Sequence, residues 1–147
     1  MGGHPYWYFV PYEEDVGAAL QSLRRREFAA GRYNPVIRFL EFSQPTFSRQ
    51  CPGSQHATIE AAVESAGDAG TRSILDISAV GTESGLGTAG PLEPERLVEL
   101  YGTEKPCRAM VEAMDVLEDV ERGCGIYVII YDGDRPSEIC FAGCSYD

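Results

Sequence analysis

The sharpest change from apolar to polar positions lies near the end of the chain. Residues 125–131 are apolar at nearly every position and rich in β-branched and aromatic side chains. Asp132, Gly133, Asp134 and Pro136 follow as turn residues, and 137–142 form a second, shorter apolar run. This pattern predicts a β-hairpin whose first strand is central and covered on both faces. Residues 6–10, an aromatic run ending in Val10, predict another strand. Pro11 stops it, because proline has no N–H to give to a ladder.

Between these strands the apolar period lengthens to that of a helix. Val16, Ala19, Leu20 and Leu23 fall on one face, with Glu13, Glu14 and Asp15 at the opening and Gly31 at the close. Arg24, Arg25 and Arg26 point about 100° apart on such a helix, which reads as a solvated face. Asn34 and Pro35 mark a turn, 36–40 a second strand and 43–55 a polar loop. Thr58 is a natural N-cap for a helix carrying Ile59, Ala62, Val63 and Ala66, ending near Gly67 or Gly70. Residues 73–80 read as a third strand, and 81–90 as a glycine-rich loop. A short helix then runs from Glu93 through Leu97 and Val98 to Gly102. A longer one follows over 106–122, with Met110, Val111, Met114 and Leu117 inward. The fold expected is α+β (mixed α/β): a single domain over 1–147, with one sheet of about five strands and about four helices.

Charge is the first feature that bears on function. The chain carries 23 acidic and 12 basic residues, a net charge of −11. Residues 1–92 hold ten acidic and seven basic groups, whereas 93–147 hold thirteen and five. Such a surface repels nucleic-acid phosphate and anionic membranes, and it steers basic proteins toward itself. No stretch approaches the roughly 20 apolar residues of a membrane helix, and the N-terminus lacks the pattern of a secretory signal. A cytoplasmic location is therefore expected. The five cysteines, at 51, 107, 124, 140 and 144, are odd in number and irregular in spacing, which argues against a disulfide framework.

Candidate chemistry is sparse. Cys51 and His56 sit five residues apart before a predicted helix, an arrangement that could serve a thiolate nucleophile, although no third group is evident. Asp76 lies among apolar neighbours and so needs a partner or a function; Arg72 is the nearest cation, and an ion pair or cap outweighs catalysis. Gly85, Gly87 and Gly90 formally spell G-x-G-x-x-G. Pro91 and the carboxylates of Glu93 and Glu95 stand where a dinucleotide site needs free helix-terminal amides, so a connector is the better reading. Cys140 and Cys144 could join Cys51 and His56 around zinc, but along a strand they stand about 13 Å apart, so no metal or cofactor is expected. The acidic positions Glu112, Asp115, Glu118 and Asp119, together with Trp7, are the candidate partner-binding residues.

Four phrases carry a resemblance over most of the chain. They are Tyr6-Trp7-Tyr8-Phe9-Val10-Pro11-Tyr12, Arg25-Arg26-Glu27-Phe28-Ala29-Ala30-Gly31-Arg32-Tyr33-Asn34-Pro35, Gly70-Thr71-Arg72-Ser73-Ile74-Leu75-Asp76 and Glu121-Arg122-Gly123-Cys124-Gly125-Ile126-Tyr127. In these the chain resembles an uncharacterised group of small soluble bacterial proteins, a resemblance that implies a bacterial origin and no activity. The expectation from the sequence is a non-enzymatic acidic protein that binds a basic protein partner, as an inhibitor or immunity-type protein does. The competing expectation is a small enzyme or ligand-binding protein with a site between the 43–57 and 81–92 loops.

Overall fold

The computed structural model describes residues 3–37 and 52–146. Its centre is the predicted hairpin, β4 (Gly125–Asp132) and β5 (Arg135–Cys144), turning at Gly133, whose φ of 66° favours glycine. Three further strands complete a mixed sheet: β1 (Pro5–Pro11), β2 (Ala79–Val80) and β3 (Thr88–Pro91). The strand order is β1-β5-β4-β3-β2. β5 pairs antiparallel with both neighbours, whereas β4, β3 and β2 pair in parallel.

Strand alternation feeds two cores. Tyr127 and Ile129 of β4, with Ile139 and Phe141 of β5, face Tyr6, Tyr8 and Val10 and the apolar stripe Ala19, Leu20 and Leu23. That stripe belongs to α1 (Val16–Ala30). Ile126, Val128 and Ile130, with Cys140 and Ala142, face the opposite layer of Leu92, Val111, Met114 and Val116. The continuous apolar run of β4 is thus the mark of a strand covered on both sides. Asp15 caps α1 by accepting from the Ala18 N–H at 3.1 Å. Gly31 closes it at φ 74°, with its own N–H on the Phe28 carbonyl and that of Arg32 on the Glu27 carbonyl, a Schellman ending. α2 (Ile59–Ala66) begins at its expected Thr58 cap, and α3 (Pro94–Tyr101) ends at Gly102.

Several expectations are corrected. Residues 73–80 do not make a strand: Ile74–Asp76 form a 3-10 turn, and only Ala79–Val80 join the sheet. Ser73 Oγ accepts from the Leu75 N–H and Asp76 reaches back to Thr71, so local side-chain bonds outcompete the ladder. The glycine loop is shorter than expected, because Thr88–Pro91 is β3. The long helix over 106–122 is broken into α4 (Arg108–Val111) and a 3-10 segment, Asp115–Asp119, with Met114 between them at φ 59°. In a continuous helix Val116 would point about 200° away from Met114; the break allows both to be buried. Finally, Arg24 is buried rather than solvated and donates to the Leu75 carbonyl at 3.3 Å, while Arg25 and Arg26 remain exposed. Of the strand expected at 36–40, Val36 and Ile37 lie in a turn and the rest falls outside the described residues.

Candidate functional site

Cys51 lies outside the described residues, so its pairing with His56 is not described. His56 itself is half-buried, and its Nδ1 lies 2.8 Å from the hydroxyl of the buried Tyr33. That hydroxyl is also 3.2 Å from Ser54 Oγ, which donates to the His56 carbonyl and accepts from the His56 N–H. The Gly53 N–H bonds the Ala30 carbonyl beside the end of α1. These bonds fasten residues 53–56 to one another, to the last residue of α1 and to Tyr33 just beyond it, so the arrangement reads as structural.

Asp76 sits close by, beyond Asn34, which bonds Thr71 and Gly70 through its backbone and side chain. Asp76 Oδ1 accepts from the Thr71 N–H and from the Thr71 hydroxyl, both at 2.8 Å. Its Oδ2 is buried with no hydrogen-bond partner among the described residues, as is the hydroxyl of the fully buried Tyr6. Burial raises the Asp76 pKa, opposed by the hydrogen bonds from Thr71 and from the Arg72 amide. Arg72 stands at φ 54°, and Gly70 has Asp76 Oδ2 just 2.8 Å from where a Cβ would lie. A carboxylate against a hydroxyl resembles a base and its nucleophile, but Thr71 and Ser73 are fully buried and no substrate reaches them. Among the described residues, Asp76 thus bonds Thr71 and the Arg72 amide while His56 bonds Tyr33, and these side chains do not form a reactive constellation.

A raised folded pKa has a consequence for stability. The folded chain holds the Asp76 proton more tightly than the unfolded chain, so this contribution is complete below pH 3.8. It is lost as pH rises through the raised folded value. Asp76→Asn removes it. Urea unfolding at several pH values should show the variant gaining on the wild type as pH rises above about 4, and a pH-independent difference between them would contradict the assignment.

An open cavity lies on the other face of the sheet. It is a cleft of about 420 Å³ with Pro91, Leu92 and Ile126 as its floor. Thr82, Glu83 and Ser84 form one wall, and Glu93, Arg96 and Asp119 the other. The first wall is fixed: Ser84 Oγ donates to the Gly125 carbonyl at 2.7 Å, and the Glu83–Ser84 backbone lies where Gly90 would carry a Cβ. The second is fixed by Arg96, which grips Asp119 through Nε and Nη2 at 2.8 to 3.1 Å. No residue of 52–57 enters this cleft; the Tyr33 to which His56 bonds packs in the opposite core.

No family model, no curated protein and no solved structure matches this chain. The site must be read from its own geometry.

Gly90 lies inside β3, and the next helix begins only at Pro94, so the three glycines do not lead into a helix as a dinucleotide loop requires. Cys140 is fully buried on the α4 side of the sheet, its thiol pushed up to about 12 by burial. Among the described residues no three His, Cys, Asp or Glu side chains could hold a metal ion together. No helix of the described residues is long and apolar enough to cross a membrane.

The acidic positions lie on the layer built from α3, α4 and the 3-10 segment. Glu112, Asp115 and Glu118 are exposed, whereas Asp119 is half-buried and committed to Arg96. Trp7 is half-buried against the second core, so less of it is available than an exposed anchor would offer. Val98 and Met110 are respectively 46% and 43% exposed, so Met110 does not face inward as its helical spacing predicts, and neither was expected as a partner contact. Nor did it signal the cleft: Arg96 and Asp119 meet across 23 positions, and no short-range pattern marks such a pair.

Proposed function

We propose that the protein is a cytoplasmic, acidic binding protein for a basic protein partner, acting as an inhibitor or immunity-type protein does. The observation that carries this reading is the charge state of the layer over 93–121. It holds nine acidic residues against three basic ones. Each of those three already meets a carboxylate of this chain: Arg96 with Asp119, Lys105 with Asp134, and Arg108 with Glu138 and Glu112. The layer therefore presents uncompensated negative charge, with Val98 and Met110 as apolar contact points within it. Such a surface accelerates encounter with a positive partner and disfavours nucleic acid.

The test uses the full chain as bait and compares two charge-matched triple variants. Glu112→Gln/Asp115→Asn/Glu118→Gln alters the acidic layer; Glu60→Gln/Glu64→Gln/Asp68→Asn alters exposed positions in and just after α2. Expected are basic partners that are released by salt, lost with the first variant and kept with the second. Equal loss with both variants, or binding insensitive to salt, would reject the reading.

A further inference from the structure

We infer that the cleft between the 82–84 wall and α3 is a preformed socket for an arginine side chain, presented by the basic partner proposed above. The inference rests on that reading of the acidic layer and adds to it the place and the chemistry of the contact.

The cleft's charge comes first. Glu83 and Glu93 stand at opposite walls, both exposed, and neither has an ion-pair partner among the described residues. The one cation in the lining, Arg96, is held in a two-pronged grip by Asp119, so it cannot offset the other two carboxylates. The lining as a whole, with Glu83, Glu93 and Asp119 against Arg96, keeps two negative charges.

Hydrogen-bonding character comes second. The two free carboxylates accept only. Thr82 and Ser84 add hydroxyl oxygens, and Ser84 spends its proton on the Gly125 carbonyl, leaving lone pairs. An acceptor-rich lining suits a ligand that offers donors alone. A guanidinium has five donors in a plane and no acceptor.

The floor decides between cations. Pro91, Leu92 and Ile126 offer an apolar surface, with Leu92 and Ile126 belonging to the second core. A guanidinium is weakly hydrated and lies flat on apolar groups, and its methylene stem can run along them; an ammonium holds its water more strongly. The volume, about 420 Å³, falls within the roughly 300–1,000 Å³ of ordinary ligand sites. Both walls are fixed before anything binds, which lowers the ordering cost of binding.

Hexa-arginine and hexa-lysine peptides serve as probes, titrated into the full chain by calorimetry and followed by amide chemical shifts. Hexa-arginine should bind more tightly than hexa-lysine and shift the amides of Thr82, Glu83, Ser84, Leu92 and Ile126. Glu83→Gln/Glu93→Gln should weaken hexa-arginine about tenfold. The outer variant Glu112→Gln/Asp115→Asn/Glu118→Gln, which removes more charge away from the cleft, should weaken it about threefold or less. An outer-variant loss equal to or larger than that of the cleft variant overturns the socket and leaves the acidic-layer reading standing. Equal binding of the two peptides overturns the choice of guanidinium. No binding of either peptide overturns the socket and the reading beneath it together.

Discussion

Gly90→Ala should destabilise the fold by about 3 kcal/mol or more, a larger effect than one methyl group ordinarily has in a core. The added Cβ would stand 2.2 Å from the Glu83 carbonyl carbon and from the Ser84 nitrogen, both backbone atoms that no rotamer change can move. Room can be made only by lifting the 82–84 segment off β3, which strips Ser84 Oγ from the Gly125 carbonyl and dismantles one wall of the cleft. Gly85 is the natural control, for a Cβ there meets nothing within 4 Å. Gly85→Ala should therefore change stability by less than about 1 kcal/mol. Urea denaturation of the two variants side by side decides the matter; a mild Gly90→Ala would mean that the segment rests loosely on the sheet.

Glu27→Gln should cost about 3 kcal/mol, for a different reason. Glu27 is 3% exposed in the last turns of α1 and accepts from Arg32 at 2.7 and 2.9 Å and from Arg26 at 3.0 Å. The Arg32 side chain is itself 13% exposed. Glutamine keeps the shape and removes the charge, so Arg32 loses the carboxylate that compensates it in a poorly hydrated place. Replacing both partners with apolar groups avoids that penalty. The double variant Glu27→Leu/Arg32→Met should accordingly lose less than Glu27→Gln alone. Should the double variant prove the worse of the two, the pair would be a net source of stability rather than a mutual compensation.

The sequence was most legible where one local signal had no competitor. The hairpin follows from a β-branched run beside Gly133, and α1 from an apolar stripe between Asp15 and Gly31. Legibility failed where side chains bond to nearby backbone or where burial overrides period. Ile74, Leu75 and Ile77 are as apolar as a strand requires, yet Ser73, Thr71 and Asp76 turn that segment into a 3-10 turn. Val111 and Met114 keep helical spacing and are buried, but Val116 is buried too, and one straight helix cannot bury all three; Met110, which the same spacing places inward, is left exposed. β3 was hidden because Ala89, Gly90 and Pro91, which follow Thr88, are poor strand formers; their place in the sheet comes from pairing with β2 and β4. At the candidate site, the acidity of 93–121 was plain in the sequence. Its neutralised cations and the cleft depend on contacts such as Arg96–Asp119 that only the folded chain brings about.

The two margins of the sheet bear on how this chain behaves when crowded with copies of itself. At one, β1 is bracketed by Pro5 and Pro11, which leave the ladder no amide hydrogen at either end; at the other, β2 is two residues long. Among the described residues, neither margin offers the long, regular row of donors and acceptors on which fibres grow or foreign strands are added. A net charge of −11 adds mutual repulsion between copies. Concentrated solutions near neutral pH should therefore stay free of ordered aggregates, and recognition by other molecules falls to side chains on the faces rather than to backbone at the rim.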